Sequence, residues 1–171
     1  MSNFELPAQI NPYALADKMS ELEGEVSLDR LSRLDEATEG VIRTAQASLS
    51  FGRDASGRRV VSGQVDGAVN LLCQRCLKPF QYELAGSFKM ALVYNDEMAR
   101  SLPTDLDSLL LLPDQPLDVA QIVEDELLLC LPMHAVHPDG ECQIETQFGA
   151  EESEGEPEKA PNPFDVLKDL K

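Results

Sequence analysis

The stretch VVSGQVDGAVNLLCQRCLKPFQYELAGSFKMALVY, residues 60–94, decides the fold. In its first half Val61, Val65, Val69 and Leu71 fall on one side of an extended chain, and Ser62, Gln64, Asp66 and Asn70 on the other. A period of two is the mark of a strand with one face buried. After Pro79 the alternation resumes: Tyr82, Leu84, Phe88, Met90, Leu92 and Tyr94 face one way, and Gln81, Glu83, Ser87 and Lys89 the other. Two long strands therefore flank Cys73–Pro79. Gly63 and Gly67 share the apolar face of the first strand, which predicts a bulge, a sharp twist or a closely packed neighbour there.

Upstream, ASLSFGRD (47–54) reads as a further strand and DASGRR as a turn, so residues 47–94 form an antiparallel meander. Residues 1–47 read as irregular and short helical pieces. PYALADKM (12–19) places Pro12 in a first helical turn, and LDRLSRLDEAT (28–38) sets Leu28, Leu31 and Leu34 three apart. Downstream, residues 95–117 are a polar connection punctuated by proline. It runs into VAQIVEDELLLCLP, where Asp118 suits the N-cap, and Ile122, Val123, Glu126, Leu127 and Cys130 recur at helical steps until Pro132.

The fold class expected is α+β, an antiparallel β-meander covered by that helix, with an irregular acidic C-terminal segment. The expected boundaries are one domain over 1–148, a disordered acidic linker over 149–161 and a short amphipathic helix over 162–171. In that last piece Asn162 is the cap, Pro163 opens the first turn, and Phe164, Leu167 and Leu170 are three apart. So short a helix needs a surface to rest on. Docking into a partner's groove is preferred here to folding back on the sheet.

The chain of 171 residues can bury a core without staples, yet it has no Trp, so that core rests on aliphatic residues. Its start lacks a basic region followed by an apolar run, and nowhere are 18 consecutive residues apolar, which predicts a cytoplasmic protein with no membrane contact. The net charge of −17 is uneven. Residues 1–100 hold 14 acids and 11 bases, a net of −3, whereas residues 101–158 hold 15 acids and no Lys or Arg. That half repels a phosphate backbone and attracts basic proteins.

In a reducing compartment four cysteines are core residues, metal ligands or redox centres rather than disulfides. Cys73 and Cys76 follow a strand and do not open a helix, which argues against a redox pair. A CxxC turn at a hairpin tip instead resembles the knuckle of a zinc ribbon, whose metal needs two more N or S ligands. The candidates are Cys130, His134, His137 and Cys142. The short polar loop HPDGEC makes His137 and Cys142 the better pair, whereas Cys130 lies on the apolar face of the expected helix. The competing reading is two small cysteines closing a hairpin beside ordinary loop residues, and spacing alone favours it.

Enzyme motifs are missing: there is no GxxxxGK[ST] loop, GxSxG elbow or HExxH helix, and no small-molecule substrate is expected. Glu124, Asp125 and Glu126 are adjacent on a helix and so diverge, which reads as a solvated face. Arg75 and Lys78 at the knuckle tip could contact RNA or a partner, joined by Arg53, Arg58 and Arg59 if the turns lie together; the competing and favoured reading is a solvated turn face.

CQRCLKPF (73–80), VEDELLLCLPMHAVH (123–137), Cys142 and KAPNPFDVLKDLK (159–171), in this order and spacing, resemble the bacterial YceD family, the large ribosomal RNA subunit accumulation proteins. The resemblance spans nearly the whole chain and is weakest in the N-terminal third. It implies a small, acidic, non-catalytic cytoplasmic factor needed for synthesis, processing or stability of 23S rRNA. It also matches Cys73, Cys76, His137 and Cys142 to the positions of a family metal site, with His137 standing where other members have cysteine. Zinc accepts that exchange.

The expected function is accordingly a non-enzymatic factor of large-subunit biogenesis that contacts a basic ribosomal or assembly protein. Phe164, Leu167 and Leu170 are candidate contacts. Direct RNA binding through Arg75 and Lys78, and an RNA-processing enzyme, are the alternatives.

Overall fold

The computed structural model describes residues 4–138 and 140–142. In chain order these form β1 (Gln9–Ile10), α1 (Pro12–Asp17), β2 (Glu21–Val26), a 3-10 turn (Leu28–Arg30), α2 (Ser32–Glu36) and β3 (Val41–Arg53). There follow β4 (Arg59–Leu72), β5 (Pro79–Val93), α3 (Asp96–Arg100), β6 (Asp107–Leu110), β7 (Leu117–Asp118) and α4 (Val119–Leu129). The expected linker over 149–161 and the helix over 162–171 lie outside the described residues.

The fold is α+β. Five strands form one sheet in the order β2-β3-β4-β5-β6, antiparallel except for β5 and β6, which run parallel. β1 and β7 make a small separate pair. The β4–β5 ladder runs without a break from Val60↔Ala91 to Leu72↔Pro79. One face of the sheet carries Leu49, Phe51, Val61, Val65, Val69 and Leu84, and α4 covers it with Ile122, Val123 and Leu127, all buried. α4 begins where its cap directs, with the Asp118 carboxylate accepting from the Ala120 N–H at 2.9 Å.

Of the three roles open to the two glycines, the structure selects close packing. A Cβ on Gly63 would lie 2.5 Å from the ring of Phe88, its cross-strand partner, and one on Gly67 would meet Leu127 at 3.5 Å. The register irregularities sit in β3 instead, between Val41 and Gln46.

Two segments differ from the sequence reading. Residues 1–47 are not merely irregular and helical, because they contain β1, β2 and the first residues of β3. ELEGEV is half acidic and too short to declare itself, and it is a strand because its neighbours complete it. Leu49 and Ala47 pair with Leu22 and Gly24 on one edge. On the other, the incoming chain bonds through Leu6 N–H to Glu25 O (2.8 Å) and Glu25 N–H to Phe4 O (2.9 Å). Residues 95–117 likewise contain α3 and β6. Asn95 caps α3 by accepting from Met98 N–H at 2.8 Å. Met98, Ala99, Leu102 and Leu106 then bury Val60, Ala91 and Val93 on the sheet's second face, a small core that alternation assigned to solvent.

The acidic triplet on α4 also needs correction. Glu124 is buried and its Oε1 accepts from the backbone N–H groups of Arg33 (2.7 Å) and Leu34 (3.0 Å), at the start of α2. Its Oε2 takes Arg33 Nε at 2.7 Å, and Asp125 takes Arg33 Nη1 at 2.7 Å. Two of the three acids, Glu124 and Asp125, thus fasten α2 to α4 rather than forming a solvated face. Among the described residues no helix is long and apolar enough to cross a membrane.

Candidate metal centre

The β4–β5 connection closes on itself through backbone bonds. Cys73 N–H donates to Lys78 O (3.0 Å) and Leu77 N–H to Cys73 O (2.9 Å). Leu77 takes a left-handed conformation (φ 56°), which folds the chain sharply enough to bring Cys76 back beside Cys73. Arg75 N–H points at Cys73 Sγ (3.5 Å), the amide-to-sulfur contact of a metal knuckle.

The second pair arrives from the far end of α4. After Pro132 the chain runs along the hairpin tip, where Gln74 N–H donates to Ala135 O (2.8 Å) and Arg75 Nη2 to His137 O (2.9 Å). Gln74 Oε1 lies 3.2 Å from His134 Nδ1. The His137 ring rests against Phe80, with centroids 4.8 Å apart, so its orientation is fixed by packing. None of Gln74, Ala135 or Phe80 carries a signal in the spacing of the ligand residues. Their part is played through backbone bonds and a ring contact that only the fold defines.

The structure brings Cys73, Cys76, His137 and Cys142 together, with one donor atom from each lying within 4.8 Å of all the others. Cys73 Sγ is 3.8 Å from Cys142 Sγ, and Cys76 Sγ is 3.4 Å from His137 Nδ1. A tetrahedron with zinc–sulfur arms of about 2.3 Å and a zinc–nitrogen arm of about 2.0–2.1 Å has edges of roughly 3.8 and 3.6 Å. Three sulfurs and one imidazole at these separations fit zinc in donor chemistry and in size.

The electrostatics make the same demand. Burial raises the Cys73 thiol, but the backbone N–H groups of Cys76, His137 and Arg75, with the His137 ring, outweigh it and bring it down to about 5. Burial, hydrogen bonds with Cys76 and Cys73, and repulsion from their charge push Cys142 up to about 11. One thiolate thus keeps its neighbour protonated. A divalent cation would remove that conflict and let all the sulfurs ionise.

The other sequence candidates stand apart. Cys130 caps α4, with Sγ 3.5 Å from Ala85 O, and its thiol is raised by burial and then by the charge of Glu126. His134 is exposed. Arg75 and Lys78 are exposed at the hairpin tip. Arg53, Arg58 and Arg59 sit at the opposite end of β4, paired with Asp17, Asp54 and Asp17 respectively, so the basic residues make no joint patch.

The fold and site define a small α+β protein whose central hairpin carries a cysteine–histidine knuckle. The comparisons narrow that class. Residues 61–171 match the family described as large ribosomal RNA subunit accumulation protein YceD. The curated Haemophilus influenzae protein of that name is 33% identical over 174 residues, covering 100% of this chain and 99% of its own. The chain belongs to the YceD family. No solved structure matches it.

Proposed function

We propose that this chain is a non-enzymatic factor in the accumulation of large-subunit ribosomal RNA, working in the cytoplasm by contact with a basic ribosomal or assembly protein. The observation that carries the contact is the charge division: 15 acids and no base across residues 101–158. So acidic a stretch of sequence repels 23S rRNA and draws a basic protein by long-range attraction that salt weakens. Cys73, Cys76, His137 and Cys142 hold zinc. Four protein donors leave no open coordination position, so the metal serves as a clasp between the hairpin tip and the chain beyond α4 and not as a Lewis acid. An RNA-processing role finds no support in the acids of α4, since Glu124 and Asp125 are engaged with Arg33.

The test is affinity capture of the tagged chain from nuclease-treated cells at low and moderate salt. A basic ribosomal or assembly protein should be recovered, less at the higher salt; recovery of none at either salt refutes the contact. Exposure of Arg75 and Lys78 favours the second reading, direct RNA binding. Exchanging both for Glu should leave the capture intact, and loss of binding to 23S fragments would support that reading instead.

A further inference from the structure

A groove of about 630 Å³ lies between α4 and the β5–β6 edge of the sheet. Phe88, Met90 and Leu109 are partly buried in it, and Leu129, 81% exposed, stands on its lip. Asp107, Asp125 and Glu126 line it and no Lys or Arg does, although Asp125 is held by Arg33 from beside the groove. Beyond β6 no further strand follows among the described residues, so the apolar floor stays open on that side. An apolar trough with carboxylates at its margin suits a short helix carrying an apolar stripe flanked by lysine.

We infer that this groove is the seat of the chain's own residues 162–171, docked in cis. Phe164, Leu167 and Leu170 supply the stripe, and Lys168 and Lys171 follow one helical turn behind Phe164 and Leu167. With Lys159 these are the only bases in the chain beyond Arg100. They meet a groove with an apolar floor whose lining carries acids and no Lys or Arg. The tether fits as well. Cys142 is fixed beside Cys73 at the hairpin tip, and Phe88 lies eight residues along β5 from Phe80, roughly 27 Å at strand spacing. Residues 143–161 can span up to about 65 Å when extended and average about 25 Å as a flexible coil. A tether whose mean reach matches the distance holds the segment at a local concentration of order millimolar, enough to fill a groove of weak intrinsic affinity. The sequence alone preferred a partner's groove for this segment, and the acidic trough within reach reverses that preference.

The test places p-benzoylphenylalanine at position 129 of the full-length chain, a solvent-facing site whose exchange leaves the core untouched. An equal mixture of 15N-labelled and unlabelled protein is irradiated, and the adducts are mapped by mass spectrometry. Cis docking predicts adducts to residues 162–171 within one isotopic chain, reduced at least fivefold by Leu167→Asp with Leu170→Asp. Adducts joining heavy and light chains would make the occupant a second copy and overturn the inference. So would the lack of any adduct to 162–171, or, on irradiation in cells, capture of another protein in place of that segment.

Discussion

Glu124 and Arg33, 91 residues apart, form the joint between α4 and α2: the Glu124 carboxylate accepts from both the backbone N–H and the Nε of Arg33, each at 2.7 Å. With Leu34 N–H also on Oε1, a side chain of one helix caps the first turn of another. The short α2 exists largely because α4 supplies its missing acceptor.

Replacing Glu124 by Ala strands the backbone N–H groups of Arg33 and Leu34, while the Arg33 guanidinium keeps Asp125. A buried unsatisfied donor costs about 1–3 kcal/mol; with Leu34 N–H buried and Arg33 N–H only part-buried, the loss in urea unfolding should be roughly 2–4 kcal/mol. Asp125→Ala removes only an exposed pair and should cost no more than about 1 kcal/mol. Equal effects would show that the cap contributes nothing beyond a surface ion pair.

The two glycines of β4 should separate sharply. Gly63→Ala drives a methyl to within 2.5 Å of the Phe88 ring, an overpacking that costs about 1–3 kcal/mol. Gly67→Ala meets Leu127 at an ordinary 3.5 Å and restricts the unfolded chain, which is neutral or stabilising by up to about 1 kcal/mol. Thermal midpoints of the two variants give the comparison.

How much of this was legible follows from where each partner lies. β4, β5 and the cap at Asp118 are readable because alternation and capping are local patterns. The spacing of Cys73 and Cys76 names them as candidates but by itself favours a plain hairpin turn over a metal pair. His137 and Cys142 could be chosen from the loop HPDGEC and from the family resemblance, while their approach to the knuckle depends on Gln74 and Ala135. β2 and β6 are short strands completed by neighbours. Glu124 looks like one of three solvated acids until the chain brings back Arg33.

In the metal-free chain the cluster should impose its own pH dependence. Cys73 titrates near 5 when folded against about 9 unfolded, so its contribution is fully present above 9 and is lost as pH falls through 5. Cys142 has the opposite sign: raised to about 11, it favours the fold below 9 and loses that contribution as pH rises through 11. Stability of the chelator-treated chain should therefore climb from pH 5 towards 9 and decline from there towards 11. Cys73→Ser should remove the climb, and an unchanged profile in that variant would contradict the assignment.

The clasp of Cys73, Cys76, His137 and Cys142 is tested most directly by the metal content of the full-length chain, purified without added metal or chelator and assayed together with its reactive thiols. The account predicts one zinc per chain, with Cys130 as the sole thiol to react before the metal is removed and all four cysteines reacting afterwards. Protein that carries no zinc, takes up none when it is supplied, and shows the same thiol reactivity with and without chelator would contradict it.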